Sequence, residues 1–167
     1  MAEPMPVAII IYGASGDLSQ LKLVPAIYEL ACEGLLSEKF VLVGYARSTE
    51  KKDPTTKQVV GPMNDEQYRK DCAEAIRKHA RKKPVDEEVV KRLMQNIFYI
   101  AGQYDSPDDQ ARLAEKLTQL DKTHQTGGNR LFYISTPPEA FEGIIKVLGE
   151  REQKHENGPG WSRLIIE

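Results

Sequence analysis

Two stretches of this chain carry groups that could do chemistry. The first is Gly13-Ala14-Ser15-Gly16-Asp17-Leu18-Ser19, which follows the apolar run Val7-Ala8-Ile9-Ile10-Ile11 and opens a helical pattern. A glycine turn feeding a helix N-terminus makes an anion site, because unpaired N–H groups and the positive end of the helix dipole point the same way. Gly13 permits a tight exit from the apolar run, and Gly16 has no Cβ to hold a pyrophosphate away from the backbone. The spacing departs from G-x-G-x-x-G, since Ser15 and Leu18 stand at the third and sixth positions. It also suits an ordinary strand–turn–helix crossover. The second stretch is Arg47-Ser48, just after the apolar run 40–46. In a dinucleotide-binding unit this position reads the adenosine ribose: an acid accepts from free hydroxyls, whereas an arginine pairs with a 2′-phosphate. The first acid beyond is Glu50, so the pair suits the phosphorylated cofactor, NADP. A surface arginine at a strand end is the plainer alternative.

The elements that must position these groups follow from hydrophobic periodicity. Short apolar runs bounded by turn residues read as buried strands at 7–12, 40–46, 96–101, 130–135 and 161–167. Helical patterns lie at 18–36, 64–81, 86–96, 106–122 and 138–152. Pro25 requires a bend or a new start within the first of them. Ser106-Pro107 reads as an N-cap followed by proline at the first helical position. Residues 49–63, with Pro54, Gly61 and Pro62, read as a loop. Strands alternating with helices give an α/β, Rossmann-like doubly wound domain: a mainly parallel sheet with helices on both faces. Ligands of such folds bind beyond the carboxyl ends of the strands. Those ends are 13–16, 47–48, 102–104 and 135–138.

At 167 residues the chain suffices for one domain, 1–167. A chain ending on an apolar strand reads as cut before further protein. The formal net charge of -2 gives no reason to expect nucleic acid or an anionic membrane as partner. The apolar runs are too short to span a bilayer, and no basic region precedes the first one, as a secretory signal would require. Cys32 and Cys72 have no metal or disulfide spacing and read as buried small hydrophobes in a reducing, cytoplasmic setting. His79, His124 and His155 read as solvated surface residues, and no metal site is expected.

Gly13-Ala-Ser-Gly-Asp-Leu18, with Lys22-Leu23 and Pro25-Ala-Ile-Tyr-Glu-Leu30, resembles the signature of the glucose-6-phosphate dehydrogenase family. Further pieces agree in order: Val43-Gly-Tyr-Ala-Arg-Ser48, Ala101-Gly-Gln-Tyr-Asp105, Asn129-Arg-Leu-Phe-Tyr133, Thr136-Pro-Pro138 and Gly160-Trp-Ser-Arg-Leu-Ile-Ile-Glu167. Essentially the whole chain is similar to the N-terminal NADP-binding domain of that family. The resemblance implies that residues 13–19 wrap the pyrophosphate and that Arg47 with Ser48 meets the 2′-phosphate. It also implies that Tyr104 lies against the cofactor, that Thr136 and Pro137 border the nicotinamide, and that Lys22 faces a sugar-phosphate pocket. Proline in the first helix is the family habit. Gln20 and Leu21 stand where the family often has basic residues, and Phe141 where some members have a cofactor-touching tyrosine.

The full-length family enzyme oxidises glucose 6-phosphate to 6-phosphogluconolactone in the pentose phosphate pathway. Its general base, sugar pocket and dimer sheet belong to regions with no counterpart here, so the resemblance implies a monomeric, inactive domain that retains the cofactor site, with no catalytic residue. A naturally short nucleotide-binding or regulatory paralogue is the alternative. A self-sufficient short-chain reductase would need Tyr-x-x-x-Lys, and Tyr99, Tyr104 and Tyr133 are followed four residues on by Gln103, Asp108 and Pro137.

Overall fold

The computed structural model of the chain describes residues 2–155 and 160–167. In chain order the elements are β1 (Val7–Tyr12), a wide π turn (Ser19–Leu23), α1 (Val24–Cys32), β2 (Phe40–Ala46), β3 (Glu50–Lys52), β4 (Val59–Pro62) and α2 (Asp65–His79). Then come α3 (Glu87–Met94), β5 (Ile97–Ala101), α4 (Pro107–His124), β6 (Arg130–Ile134), a 3-10 turn (Pro138–Ala140), α5 (Phe141–His155) and β7 (Ser162–Ile166). Five strands form one sheet in the order β5-β2-β1-β6-β7. Every pair in it is parallel; Ile10, for example, faces Val43 on one side and Phe132 on the other. The expected doubly wound α/β architecture is therefore present, and the strand order reverses direction between β1 and β6.

Burial explains why the strands read as continuous apolar runs. One layer packs Ile11 and Leu42 against Ile27 and Tyr28 of α1, Tyr68 and Ile76 of α2 and Leu93 of α3. The other packs Ile10, Val43 and Phe132 against Leu113 and Leu117 of α4 and Ile144 and Leu148 of α5. β2 lies between both layers, and each of its residues is buried.

Several local expectations change. The helical pattern expected over 18–36 ends at Cys32, where the Leu35 amide bonds the Leu30 carbonyl at 2.9 Å and Gly34 takes φ +69°, a Schellman closure. Ahead of Pro25 the helix widens: the Val24 amide reaches back to the Ser19 carbonyl, five residues away. The wide turn accommodates a ring that would otherwise meet the carbonyl four residues earlier. Residues 49–63 are not a plain loop, because β3 and β4 pair there as an antiparallel hairpin. Its turn is built by Asp53, whose Oδ1 accepts from the Thr55 and Thr56 amides, each at 2.8 Å.

Cys72 is buried as expected and its thiol is pushed up to about 12 by burial, but Cys32 is exposed. His124 is half-buried rather than fully solvated, with its ring edge-on to Phe98 at 5.4 Å. His79 is also half-buried, and the side chain of His155 lies outside the described residues. Among the described residues no helix is long and apolar enough to cross a membrane.

Candidate functional site

The carboxyl ends of β1 and β6 meet at the point where strand order reverses, where open α/β sheets bind their ligands. Ser135, just after β6, donates from both its amide (3.1 Å) and its hydroxyl (2.7 Å) to the Tyr12 carbonyl. This double clamp draws the chain after β6 against the glycine turn. Gly13 sits there at φ +83°, and a Cβ on it would lie 2.7 Å from the Ser135 carbonyl oxygen. Both the backbone angle and the close approach demand glycine at this position.

The turn itself is pinned on one side. The amides of Gly13 and Ala14 bond the Tyr45 carbonyl at 2.9 and 3.3 Å, and the Gly16 amide bonds the Gly13 carbonyl at 2.9 Å. Beyond it, the Gln20 amide bonds the Gly16 carbonyl and starts the helical ladder. Among the described residues the amides of Asp17, Leu18 and Ser19 have no backbone acceptor, as the first amides of a helix must. They stand at the positive end of a helical run that continues through Cys32. Ser15, Gly16 and Asp17 are exposed, Leu18 is half-buried and Ala14 is buried. The Ser19 side chain is fully buried against Tyr68. An anion at this turn would meet its backbone, not its hydroxyl.

Arg47 and Ser48 are exposed at the end of β2. The Ser48 carbonyl accepts from the Tyr99 hydroxyl at 2.6 Å, fixing the chain that leaves the sheet. The Arg47 guanidinium lies 5.7 Å from the centre of the Tyr104 ring. Tyr104 packs in turn on Tyr12 and Tyr45, with centroids 5.9 and 5.8 Å away. Burial raises the Tyr104 phenol above its ordinary value, while the charge of Arg47 and the Gly13 backbone pull it down. The structure thus brings Gly13, Arg47 and Tyr104 to one place.

Thr136 is buried, and among the described residues its hydroxyl has no hydrogen-bond partner. Pro137 is exposed beside it. Lys22 is exposed on the π turn, and no hydrogen bond among the described residues ties it to the mouth. Of the residues that secure this mouth, Ser135 stands at a strand end expected to face the ligand, whereas Tyr45, Tyr99 and Gln110 carried no expected role from sequence. Gln110 alone left a signal, as a polar residue in the apolar stripe of Leu113, Leu117 and Leu120.

A cavity of about 800 Å³ opens at the opposite end of the sheet, lined in part by Ala31, Gly34, Lys39, Phe40, Leu93 and Asn96. It sits at the carboxyl ends of α1 and α3, whose dipoles disfavour an anion there. A smaller pocket of about 240 Å³ adjoins the glycine turn, between Ser15, Gln20, Lys51, Met63 and Lys78. Helix polarity therefore favours the glycine-turn end for a phosphate-bearing ligand. Among the described residues no group of His, Cys, Asp and Glu could hold a metal ion.

Known proteins share this fold. The family model described as "Glucose-6-phosphate dehydrogenase, NAD binding domain" matches residues 10–167. A glucose-6-phosphate 1-dehydrogenase of Chlamydia muridarum is 39% identical over 165 residues, which is 97% of this chain and 30% of that protein. Glucose-6-phosphate 1-dehydrogenase 2 of Mycobacterium tuberculosis is 35% identical over 162 residues, 97% of this chain and 29% of that protein. A solved glucose-6-phosphate dehydrogenase in complex with its substrate glucose-6-phosphate superposes with a TM-score of 0.76 at 28% identity, over 99% of this chain and 31% of that one. The enzyme from Mycobacterium avium, at 21% identity and a TM-score of 0.69 over 96% of this chain and 29% of its own, shares the fold. The chain thus spans about 30% of the length of the curated relatives it matches. It belongs to the glucose-6-phosphate dehydrogenase family, as a member of its NAD-binding domain.

Proposed function

We propose that this chain is the NADP-binding domain of a glucose-6-phosphate dehydrogenase. The observation that carries the reading is the pairing of the unbonded helix-start amides at Asp17–Ser19 with the Arg47 guanidinium held beside the same turn. The amides, from a backbone that Gly13 and Gly16 keep open, would hold the pyrophosphate. Arg47, with Ser48, would pair with the 2′-phosphate that NADP carries and NAD lacks. A charge-assisted bond of this kind contributes about 1.5–3 kcal/mol, or roughly ten- to a hundredfold in affinity.

Bound NADP⁺ would supply the hydride acceptor for oxidation of glucose 6-phosphate. The chain's own residues would position it: Tyr104 against the cofactor, and Thr136 and Pro137 along the nicotinamide, where the unpaired Thr136 hydroxyl offers a donor and an acceptor. Lys22 would face the sugar phosphate. The base that deprotonates the sugar hydroxyl and the pocket that grips it would come from the part of the relatives outside the matched segment. The 167 residues act as one cofactor-binding unit, monomeric by themselves and cytoplasmic in setting. Calorimetric titration with NADP⁺ and NAD⁺ side by side tests the reading. Tighter binding of NADP⁺ by tenfold or more is expected, and equal affinities would overturn it.

A further inference from the structure

Arg47 makes no ion pair or hydrogen bond among the described residues; its fixed contact is the face of the Tyr104 ring, 5.7 Å from the centroid. A long exposed side chain loses rotamer freedom when it grips a ligand, and a ring that restrains it beforehand reduces that loss. The backbone that carries this ring is held from beneath. The Gln110 side chain is buried, 2% exposed. Its Nε2 donates to the Tyr104 carbonyl at 3.2 Å, and its Oε1 accepts from the Tyr12 hydroxyl at 2.8 Å. The preceding residue is fixed in the same way. The Tyr45 hydroxyl donates to the Gln103 carbonyl at 2.6 Å, and the Gln103 amide donates to Asp109 at 2.8 Å. Gly102 allows this approach, since a Cβ there would lie 2.5 Å from the Tyr45 hydroxyl. Gln110 occupies the inward stripe of α4 beside Leu113 and Leu117, where an apolar residue would pack without needing partners.

We propose that the buried chain from Tyr12 through Gln110 to the Tyr104 carbonyl sets the preference for NADP⁺ over NAD⁺, by holding the Tyr104 ring as the platform of the Arg47 guanidinium. This rests on the NADP reading above and deepens it. Gln110 is a positioning residue: it touches no cofactor and acts through Tyr104 and Arg47. It governs the increment of affinity due to the 2′-phosphate, because Arg47 is the group that meets that phosphate. The glycine turn, whose open amides at Asp17–Ser19 both cofactors would use, is held separately, through the Gly13 and Ala14 amides on the Tyr45 carbonyl and the Gly16 amide on the Gly13 carbonyl.

The test is the ratio of the NAD⁺ to the NADP⁺ dissociation constant in the unmutated chain and in Gln110→Met, with the melting temperature recorded for each. Gln110→Met keeps the volume and removes both bonds. A cation–ring contact at an exposed site corresponds to about a two- to fivefold effect, so the ratio is expected to fall by that much. Tyr12→Phe removes the hydroxyl that donates to Gln110 and should lower the ratio by less; it also serves if Gln110→Met does not fold. An unchanged ratio in the variants overturns the proposal. This includes the case in which both affinities fall together with the melting temperature, as a purely structural role would produce. Equal affinities in the unmutated chain would overturn the NADP reading, and this proposal with it.

Discussion

Gly13→Ala is the perturbation whose cost follows most directly from the geometry. Gly13 has φ +83°, and its added Cβ would lie 2.7 Å from the Ser135 carbonyl oxygen and 3.1 Å from its carbon. A left-handed backbone costs an L-residue about 1–2 kcal/mol. The clash is with backbone, so it is relieved only by moving Ser135 away. That strains its two bonds to the Tyr12 carbonyl, at 3.1 and 2.7 Å, each worth about 1 kcal/mol. The expected loss is about 2–4 kcal/mol, a large share of the ~5–15 kcal/mol that holds a typical domain. With a urea slope of about 1–3 kcal/mol per molar, the unfolding midpoint should drop by roughly 1–2 M with the slope unchanged. Urea unfolding followed by tryptophan fluorescence and far-ultraviolet dichroism is the assay. A midpoint within about 0.3 M of the unmutated chain would refute the close approach of β1 and β6 at this point.

Gly16→Val should behave in the opposite way. Gly16 is exposed with an ordinary backbone angle, and its Cβ would meet only the Gly13 carbonyl, at 3.2 Å. Stability should fall by about 1 kcal/mol or less, whereas calorimetry should detect no NADP⁺ binding; normal binding would show that the turn holds no phosphate. Arg47→Ala should weaken NADP⁺ binding by roughly ten- to a hundredfold and NAD⁺ binding far less, and an equal loss for both would count against the 2′-phosphate role. Burial, with Lys116 nearby, holds the His124 imidazole below its ordinary value. The fold therefore favours the neutral ring, and this contribution is complete above about pH 6.5 and is lost as pH falls through the lower folded-state value. His124→Phe, which keeps a ring against Phe98, should flatten the decline in melting temperature between pH 7 and pH 5; an unchanged slope would refute it.

The sheet was legible because each strand is an apolar run closed by a turn residue, from Val7–Tyr12 at Gly13 to Phe40–Ala46 at Arg47. Ser106, read as an N-cap, accepts a helix-start amide of α4; Asn64 and Asp86 cap α2 and α3 in the same way, although the helical pattern alone marked those starts. The hairpin was not legible. β3 is Glu50-Lys51-Lys52, three charged residues without alternation, and its turn depends on Asp53 side-chain bonds that periodicity does not register. The π turn had only Pro25 as a trace, with the direction of the adjustment left open. For the site, glycine spacing and Arg47-Ser48 marked the mouth, but the helix phase that turns the Ser19 side chain toward Tyr68 was not legible. The supports of Tyr104 come from three separated segments, at Tyr12, Tyr45 and Asp109–Gln110, and only the folded register unites them.

Amide chemical-shift mapping of the isotopically labelled chain during NADP⁺ titration tests the central claim most directly, because it reports where the cofactor sits. The account predicts saturable shifts at Gly13–Ser19, Arg47, Ser48, Tyr104 and Thr136, with those of Arg47 and Tyr104 weakened when NAD⁺ replaces NADP⁺. Shifts gathered instead around Lys39, Phe40, Leu93 and Asn96, at the cavity of about 800 Å³ on the far end of the sheet, would contradict it.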